Sequence, residues 1–264
     1  MAVRPIRKLG AHLRAFPQKV ARYNAIRREE TLFWQRYEET ASQGFSRGSS
    51  HYCLDDADSQ AGVASGHYFH QDLLVAQRVH HAAPTAHLDV GSSVSGLVAH
   101  IASFRTVHYL DIRPIHSDAD NVTFHQGDLL KAPKFMYESF DSVSCLHTLE
   151  HIGLGRYGDE VDPAGWVKGI RALSALLVPG GTLYVSVPCS TEPRVEFNAH
   201  RVFDPQTFST ALARDFDVIG FDVVLDNGRL LRSVDDDSWG VYPLTNVSYG
   251  LGIWTAKKRR RTNS

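Results

Sequence analysis

Short apolar runs alternate with longer amphipathic stretches over most of the chain from residue 67 onward. The apolar runs have the length and composition of buried strands, and the stretches between them have helical spacing. Alternation of strand and helix predicts a parallel sheet that carries helices on both faces. The predicted strands are 86–90, 106–111, 121–125, 141–146 and 182–187, and the predicted helices lie near 71–81, 94–104 and 162–177.

Two more β-like runs, 216–225 and 247–256, follow without a helix between them and are joined by a polar loop that contains the three aspartates 235–237. Strands joined without a crossover helix are expected to run antiparallel, so we place both at one edge of the sheet. The predicted fold is therefore a doubly wound α/β domain. Its sheet is expected to be mostly parallel and seven-stranded, with an antiparallel edge hairpin.

The N-terminal part of the chain departs from this pattern. Residues 1–40 predict a helix in which Pro5 and Pro17 are interruptions, because proline removes a backbone donor. The next residues, up to 66, are rich in serine, glycine and aspartate and predict a linker. We therefore divide the chain into a basic helical extension with its linker (1–66), an α/β domain (67–256) and a basic disordered tail (257–264).

Composition agrees with one folded domain and a short appendage, since 43% of the 264 residues are hydrophobic and 22% are charged. These fractions exclude intrinsically disordered and collagen-like proteins. The chain has no apolar run of about 18 residues and no apolar leader, so neither a transmembrane helix nor a secretory signal is predicted. Three widely spaced cysteines without a CxxC pair argue against a disulfide scaffold and favour a cytoplasmic location.

The net charge of −1 conceals an uneven distribution. Residues 1–28 hold eight basic residues and no acid, and residues 257–261 hold five more, which leaves 15 bases against all 29 acids. The part of the chain between the two basic ends is therefore strongly acidic. Such a domain does not present a broad nucleic-acid-binding surface, and we expect no nucleic-acid partner. The basic N-terminus is a candidate for peripheral contact with an anionic membrane. A solvated helix with a frayed tail is the alternative, and a mitochondrial transit peptide is a weaker one.

The segment H-L-D-V-G-S-S-V-S-G-L at 87–97 is the turn between the first predicted strand and its helix. Such turns bind nucleotide-like ligands at the carboxyl edge of a parallel sheet. A dinucleotide fingerprint requires a middle glycine between Gly91 and Gly96, where this chain has Ser93. Asp89 would also repel a pyrophosphate, whereas it would attract the ammonium and sulfonium of S-adenosylmethionine. The turn therefore favours S-adenosylmethionine, with these four residues as its contacts.

Two further acids follow the second and third strands. Asp111 lies 20 residues after Gly91, where a carboxylate can accept both ribose hydroxyls of a nicotinamide or an adenosylmethionine cofactor. Asp128 can accept the adenine amino group, with Leu129 packed on the ring. Each aspartate has the alternative role of a helix or turn cap. Because three acids end three successive strands at one sheet edge, we favour the cofactor role.

The fourth strand ends in a segment whose spacing, His147-x-x-Glu150-His151, matches that of inverted zinc peptidases. A zinc site of that kind needs a long helix and a third ligand from another helix. Here the segment begins at the end of a strand, and two glycines break any helix shortly afterwards. The acids at 159, 160 and 162 have the chemistry of a cation site but also of an ordinary surface cluster. We therefore predict no metal.

The order of these segments, together with L-V-P-G-G-T-L-Y-V-S-V-P from 177, resembles the class I S-adenosylmethionine-dependent methyltransferases over 67–256. The stretches 68–73, 152–165 and 194–205 resemble a narrower domain-of-unknown-function family often encoded beside bacterial surface-polysaccharide genes. The resemblance implies a Rossmann-like fold, methyl transfer and a sugar or glycan acceptor. By position it implies that Gly91 lies against the methionine part, that Asp111, Asp128 and Leu129 hold the adenosine, and that Leu146 and His147 form the floor under the sulfur.

The acceptor side is predicted from the loops after the fourth and fifth strands. A hydroxyl acceptor must lose a proton, and the candidates near the carboxyl edge are His147, Glu150, His151 and His200. We predict His151, His200 and Glu150 as catalytic residues and favour His151 or His200 as the base. Structural roles for these side chains are the alternative. The mix of side chains on the two loops indicates a polar, hydroxyl-rich or carboxylated acceptor. The alternative for the segment 194–201 is a loop-stabilising salt-bridge cluster. These predicted substrate-binding residues are Arg156, Tyr157, Asp159, Arg194, Glu196, Asn198 and Arg201.

The predicted function is S-adenosylmethionine-dependent O-methylation of a saccharide or similar polar metabolite in surface-glycan biosynthesis. The first alternative is a non-catalytic scaffold that has lost cofactor binding, because Ser93 and Ser95 replace two glycines of the family's loop. A nicotinamide-dependent oxidoreductase and a nucleic-acid methyltransferase are weaker alternatives. The sequence leaves the oligomeric state open.

Overall fold

The computed structural model describes residues 6–39, 45–234 and 246–260, which form two compact units, Met1–Val63 and Ala64–Ser264. The predicted loop aspartates at 235–237 and the last four residues of the basic tail lie outside the described residues. Within the described ranges, no helix combines the length and the apolarity needed to cross a membrane.

The first unit is built on one long helix, α1, from Ile6 to Glu39. The prediction that Pro17 interrupts this helix is wrong, because Pro17 lies inside it. A proline removes only one backbone donor, and good helix formers on both sides carry the helix past it. Glu30 fastens the following segment to the helix by accepting hydrogen bonds from Ser50 (2.5 Å) and Tyr52 (2.7 Å).

The second unit contains a sheet of eight strands in the order β3-β2-β1-β4-β5-β10-β8-β9. The first five of these strands are mutually parallel, as predicted. The strands of the second unit are β1 (His87–Val90), β2 (Val107–Asp111), β3 (Val122–Gln126), β4 (Phe140–Leu146), β5 (Leu177–Cys189), β6 (Arg194–Glu196), β7 (His200–Val202), β8 (Phe216–Val224), β9 (Leu230–Leu231) and β10 (Gly250–Lys258). Strands β6 and β7 form a separate two-stranded sheet.

The last strands correct the prediction of seven strands with an edge hairpin. The two late apolar runs do pair antiparallel, as β8 and β10. However, β10 lies between β5 and β8, and the edge position belongs to the short strand β9. Two residues are too few to give an apolar pattern, so β9 left no signal in the sequence.

Helices cover both faces of the sheet, as the alternating pattern predicted. These helices are α2 (His67–Ala82), α3 (Ala99–Ala102), α4 (Gly165–Leu176) and α5 (Pro205–Leu212). One buried cluster joins the sheet to α4 and α5, and a second joins it to α2 and α3. Because β1 lies between β2 and β4, the chain changes direction across the sheet there. A crevice forms at the carboxyl ends of strands at such a point.

Candidate functional site

Gly91 begins the turn after β1 and requires the absence of a side chain. Its φ of 69° lies in the left-handed region, and a Cβ there would lie 2.7 Å from the Thr148 side chain. Its amide donates to the carbonyl of Leu110 on the neighbouring strand. The backbone of the turn is therefore held close to both β2 and the segment that follows β4.

Asp89 supports this turn from beneath. Its carboxylate is fully buried and accepts hydrogen bonds from the Ser92 hydroxyl (2.7 Å), the Ser92 amide (3.1 Å) and the Ser144 hydroxyl (2.5 Å). Burial raises the pKa of Asp89 to about 7. The prediction that Asp89 contacts the cofactor is corrected, because its oxygens face the interior and are bound by serine donors.

Gly96 also has a different role from the predicted one. A Cβ at Gly96 would collide with the carboxylate of Asp72, a buried residue of α2. Burial raises the pKa of Asp72 to about 6, and its Oδ1 atom has no hydrogen-bond partner. Ser93 caps the following turn, since its hydroxyl accepts from the Gly96 amide (3.2 Å). Glycine is thus required at 96 by helix packing, whereas serine at 93 has a local hydrogen-bonding role.

We expect Asp89→Asn to change the pH dependence of stability. The folded pKa of about 7 lies above the ordinary value of 3.8, so between these values the folded protein keeps a proton that the unfolded chain has lost. The stabilisation from Asp89 is therefore complete at acidic pH and is lost as pH rises, with a slope of up to about 1.4 kcal/mol per pH unit. Urea denaturation at about pH 5 and pH 8 should show the variant gaining stability relative to wild type at the higher pH. Asp120→Asn, at an exposed acid, is the control, and an equal difference at both pH values would contradict the assignment.

A cleft opens at the carboxyl ends of β1, β2, β3 and β4 and encloses about 630 Å³ up to its open mouth. We call it the strand-end cleft. Its walls include five of the nine predicted cofactor residues, namely Gly91, Asp111, Asp128, Leu129 and His147.

Asp111 is the most strongly bound acid of the cleft. Its oxygens accept hydrogen bonds from the Tyr109 hydroxyl (2.7 Å) and from the Arg113 amide (2.8 Å), Nε (3.0 Å) and Nη2 (2.7 Å). Burial raises the pKa of Asp111, but the hydrogen bonds from Arg113 and Tyr109 outweigh burial, so the pKa lies below its ordinary value. Because a carboxylate offers about four acceptor positions, Asp111 has none left for a ligand until Arg113 moves. The Arg113 side chain is half exposed and lies over the ring of Tyr157 (4.9 Å).

Asp128 and Leu129 form the far wall of the cleft. One oxygen of Asp128 caps a short turn by accepting from the Leu130 amide (2.9 Å), so its predicted capping role is real. Asp128 nevertheless faces the cleft as well. Leu129 is buried and, together with Ile112 and Ile152, gives the cleft an apolar surface. This wall can therefore receive an aromatic base. Asp128 can accept a hydrogen bond from the edge of the base, and Leu129 can pack against its face.

A second space, the ring pocket, adjoins the cleft and shares Gly91, Arg113, His147, His151 and Tyr157 with it. Four rings stack along one side of the ring pocket, with neighbouring planes tilted by 20–24°. Their order is Tyr68, His147, His67 and Tyr249, with centroids 4.9 to 5.4 Å apart. Burial, followed by repulsion from His147, lowers the pKa of His67 to about 4.

His147 and Glu150 form a hydrogen-bonded pair at the base of the ring pocket. Their Nδ1 and Oε1 atoms are 2.7 Å apart, and the Glu150 side chain is fully buried. His147 has a φ of 52°, which aims its ring out of the end of β4. The Nε2 atom of His147 and the Oε2 atom of Glu150 are buried without a hydrogen-bond partner. Unsatisfied buried polar atoms in a pocket point to a ligand that supplies the missing partners.

His151 and His200, the two predicted bases, also line the ring pocket. The His151 ring donates from Nδ1 to the carbonyl of Ala199 (2.7 Å), and burial lowers its pKa. His200 lies beside Glu196, with Nε2 and Oε2 3.2 Å apart. Neither has a buried carboxylate at hydrogen-bond distance from its ring, so the structure favours His147 over both as the residue prepared to accept a proton.

Two of the seven predicted substrate-binding residues line the ring pocket, and the other five do not. Arg156 and Tyr157 line the ring pocket, with the Arg156 guanidinium 5.1 Å from the Tyr157 ring centre. The prediction for Arg201 is wrong, because this residue is buried and donates to the carbonyls of Glu150 and Ile152.

Of the other four predicted substrate-binding residues, Asp159, Arg194 and Glu196 are also used mainly within their loops. Asp159 borders the strand-end cleft, but its carboxylate accepts loop amides, including that of Gly153 (2.7 Å). Arg194 and Glu196 pair with each other on the β6–β7 hairpin (2.7 Å). These two residues and Asn198 lie outside the walls of both spaces. The alternative of a loop-stabilising salt-bridge cluster fits Arg194 and Glu196, which pair with each other.

Sequence reasoning did not single out four side chains of the site. Arg113 lies two residues after Asp111, the last residue of β2, but its ion pair depends on a side-chain orientation that sequence does not encode. Tyr68 and His67 open α2, where the sequence of 68–73 shows only a family resemblance, and Tyr249 carries no sequence signal. Gly96 and Leu146 complete the predicted set, and Leu146 is buried at the floor of the ring pocket. Among the described residues, no group of three His, Cys, Asp or Glu side chains is arranged to hold a metal ion.

Comparison with known proteins identifies the fold. Residues 97–224 match the sequence profile of a family described as "Caenorhabditis protein of unknown function, DUF268". A search of curated proteins finds no match to the chain. The N-methyltransferase NodS from Bradyrhizobium japonicum WM9 is 13% identical, with a TM-score of 0.51 over 75% of this chain and 100% of that one.

Two further solved structures have the same architecture. The [4+2]-cyclase SpnF is 16% identical, with a TM-score of 0.53 over 72% of this chain and 82% of that one. A putative sarcosine dimethylglycine methyltransferase from Galdieria sulphuraria is 12% identical, with a TM-score of 0.51 over 72% and 86% of the two chains. The chain therefore has the α/β fold of the S-adenosylmethionine-dependent methyltransferases. Because one of these proteins is a cyclase, the fold alone does not define the reaction.

Proposed function

We propose that this protein binds S-adenosylmethionine in the strand-end cleft and methylates an oxygen atom of a polar acceptor in the ring pocket. One observation carries the proposal. The carboxyl ends of four parallel strands bring Gly91, Asp111, Asp128 and Leu129 together around one cleft, and the buried pair of His147 and Glu150 lies where that cleft meets the ring pocket. The cofactor would supply an activated methyl group.

The residues of the cleft fit the adenosine part of this cofactor under one condition. Asp111 can accept the ribose hydroxyls once Arg113 releases it, and Asp128 and Leu129 can receive the adenine. Arg113 is half exposed, so water can replace the hydrogen bonds of its guanidinium when it releases the buried Asp111 carboxylate. Ser93 uses its hydroxyl within the turn, where it accepts from the Gly96 amide.

His147, with Glu150 behind it, is the proposed proton acceptor. When the Nδ1–H of His147 donates to Glu150, the lone pair of Nε2 is free to take the proton of an acceptor hydroxyl. Glu150 then stabilises the imidazolium that forms. In this role His147 replaces His151 and His200, and Glu150 acts as the orienting residue.

The acceptor is proposed to be a saccharide or a similar polar metabolite. Two unpartnered buried acceptor atoms suit a ligand with adjacent hydroxyl donors, and the exposed ring of Tyr68 offers flat apolar contact. Arg156 can meet a carboxylated substituent. We further propose a role in surface-glycan biosynthesis and a cytoplasmic location, the latter supported by the three free cysteines.

One observation favours the alternative of a scaffold that has lost cofactor binding, namely the saturation of Asp111 by Arg113. Isothermal titration of the full chain with S-adenosylmethionine, S-adenosylhomocysteine and NADH separates the possibilities. We expect micromolar binding of both adenosyl ligands and no binding of NADH. A folded protein that binds none of the three up to millimolar concentration would establish the scaffold instead.

A further inference from the structure

The sheet edge opposite the strand-end cleft carries a concentration of positive charge. Because β10 runs antiparallel to β5, its last residues lie at the amino ends of the parallel strands, beside the beginnings of β4 and β5. A groove there, which we call the basic groove, is lined by five cations and two acids. The cations are Arg171, Arg214, Lys258, Arg259 and Arg260, and the acids are Glu138 and Asp215.

Only part of this positive charge is neutralised within the protein. Lys258 pairs with Glu138 (3.0 Å), and Arg259 pairs with Asp217 (2.9 Å). The other three cations, Arg171, Arg214 and Arg260, have no acidic partner within the described part of the chain. The groove thus keeps a surplus of positive charge on a body that is otherwise acidic.

Two exposed aromatic side chains accompany the basic groove. Tyr137 lines it and is 47% exposed, and Phe135, two residues earlier, is 73% exposed. Met136 between them is buried in the core and fixes the position of this short segment. Lys134 adds a further exposed cation beside Phe135. Exposed aromatic residues beside lysine and arginine are typical of surfaces that meet the interface of a membrane.

We propose that the basic groove, together with Phe135 and Tyr137, binds the surface of a membrane that contains anionic phospholipids. The arginines would contact lipid phosphates, and the two aromatic rings would enter the headgroup region. An anionic lipid surface is favoured over a nucleic acid because the exposed rings of Phe135 and Tyr137 beside the cations can enter the headgroup region of a membrane.

The proposal also fits the location of the strand-end cleft. A protein bound through the amino ends of its parallel strands would keep the carboxyl ends, where the cleft opens, turned toward solution. The proposed membrane binding does not depend on the N-terminal extension, whose basic residues belong to the other unit. It is also independent of the proposed methyl transfer.

Sedimentation of the full chain with lipid vesicles tests this inference. We expect binding to vesicles of phosphatidylglycerol and phosphatidylcholine in equal parts, weakening with salt, and none to pure phosphatidylcholine. The triple variant R171Q/R214Q/R260Q should bind the anionic vesicles at least about tenfold more weakly, because three of the phosphate-binding cations are removed. The double variant F135S/Y137S should also lower the affinity for anionic vesicles. We expect this loss at high salt, where screening of the charges leaves mainly the aromatic contribution to binding.

The matched control is R14Q/R27Q/R28Q, which removes the same charge from the N-terminal extension. Full binding by this control and loss of binding by the groove variant, with both folded by circular dichroism, support the proposal. The reverse pattern, equal binding to neutral vesicles, or binding to an oligonucleotide or an acidic peptide without binding to anionic vesicles would each overturn it.

Discussion

Asp111→Asn is expected to weaken the binding of S-adenosylmethionine roughly 30- to 150-fold, which corresponds to about 2–3 kcal/mol. The carboxylate lies at the end of β2 in the wall of the strand-end cleft, and its charge strengthens the hydrogen bonds that it would accept from ribose hydroxyls. Asparagine replaces one acceptor oxygen by an NH₂ group. That group donates toward Arg113 and toward the ribose, where acceptors are needed.

Isothermal titration of the folded variant measures this effect, with Asp120→Asn, at an exposed acid of the β2–β3 connection, as the matched control. Arg113→Gln gives an opposite test. If release of Asp111 by Arg113 is the cost of binding, this variant should bind about fivefold more tightly, as expected for a half-exposed ion pair worth about 1 kcal/mol. Wild-type affinity in Asp111→Asn would remove the ribose role from this carboxylate, whatever the protein binds elsewhere.

His147→Asn is expected to lower the rate of methyl transfer about a thousandfold, within the range that general-base catalysis contributes. Asparagine tolerates the left-handed conformation with φ of 52° that the backbone adopts here, so the variant isolates the imidazole from the fold. Glu150→Gln should have a smaller effect, because the amide oxygen can still accept from Nδ1 but no longer stabilises the imidazolium by charge.

The rate is measured as S-adenosylhomocysteine release with an acceptor found by screening saccharides and nucleotide sugars. Exposed His80→Asn on α2 is the control. A second readout does not need the acceptor: the imidazole resonances of His147 should report Nδ1–H and free Nε2 in wild type, and this tautomer should be less favoured in Glu150→Gln. A His147→Asn enzyme with wild-type turnover and unchanged cofactor affinity would assign the base to another residue.

Local pattern was sufficient for the main elements of the fold. Apolar runs separated by amphipathic stretches predicted β1 to β5 and their helices, because burial on both faces of a parallel sheet produces continuous apolar strands. The antiparallel pairing of β8 and β10 followed from the missing crossover helix. The insertion of β10 between β5 and β8 did not, since apolar runs specify that strands are buried but not which neighbours they have.

The candidate site divides in the same way. The carboxyl ends of parallel strands meet at one edge, so sequence order alone brought Gly91, Asp111, Asp128 and Leu129 to one cleft. Sequence could not reveal that the Asp89 carboxylate faces inward onto Ser92 and Ser144, because side-chain direction at a strand end depends on the turn that follows. Arg201 illustrates the same limit, since a loop arginine bonded to buried carbonyls has the same local sequence as one that faces a substrate.

The sequence by itself therefore determined the alternating α/β architecture and the edge of the sheet at which chemistry would occur, because both depend on periodicity and chain order. Only the tertiary structure decided which polar side chains face that edge. It paired His147 with Glu150, placed α2 so that Tyr68 and His67 stack on His147, and saturated Asp111 with Arg113. These contacts join residues by packing and side-chain orientation, and neither leaves a periodic trace in a single sequence.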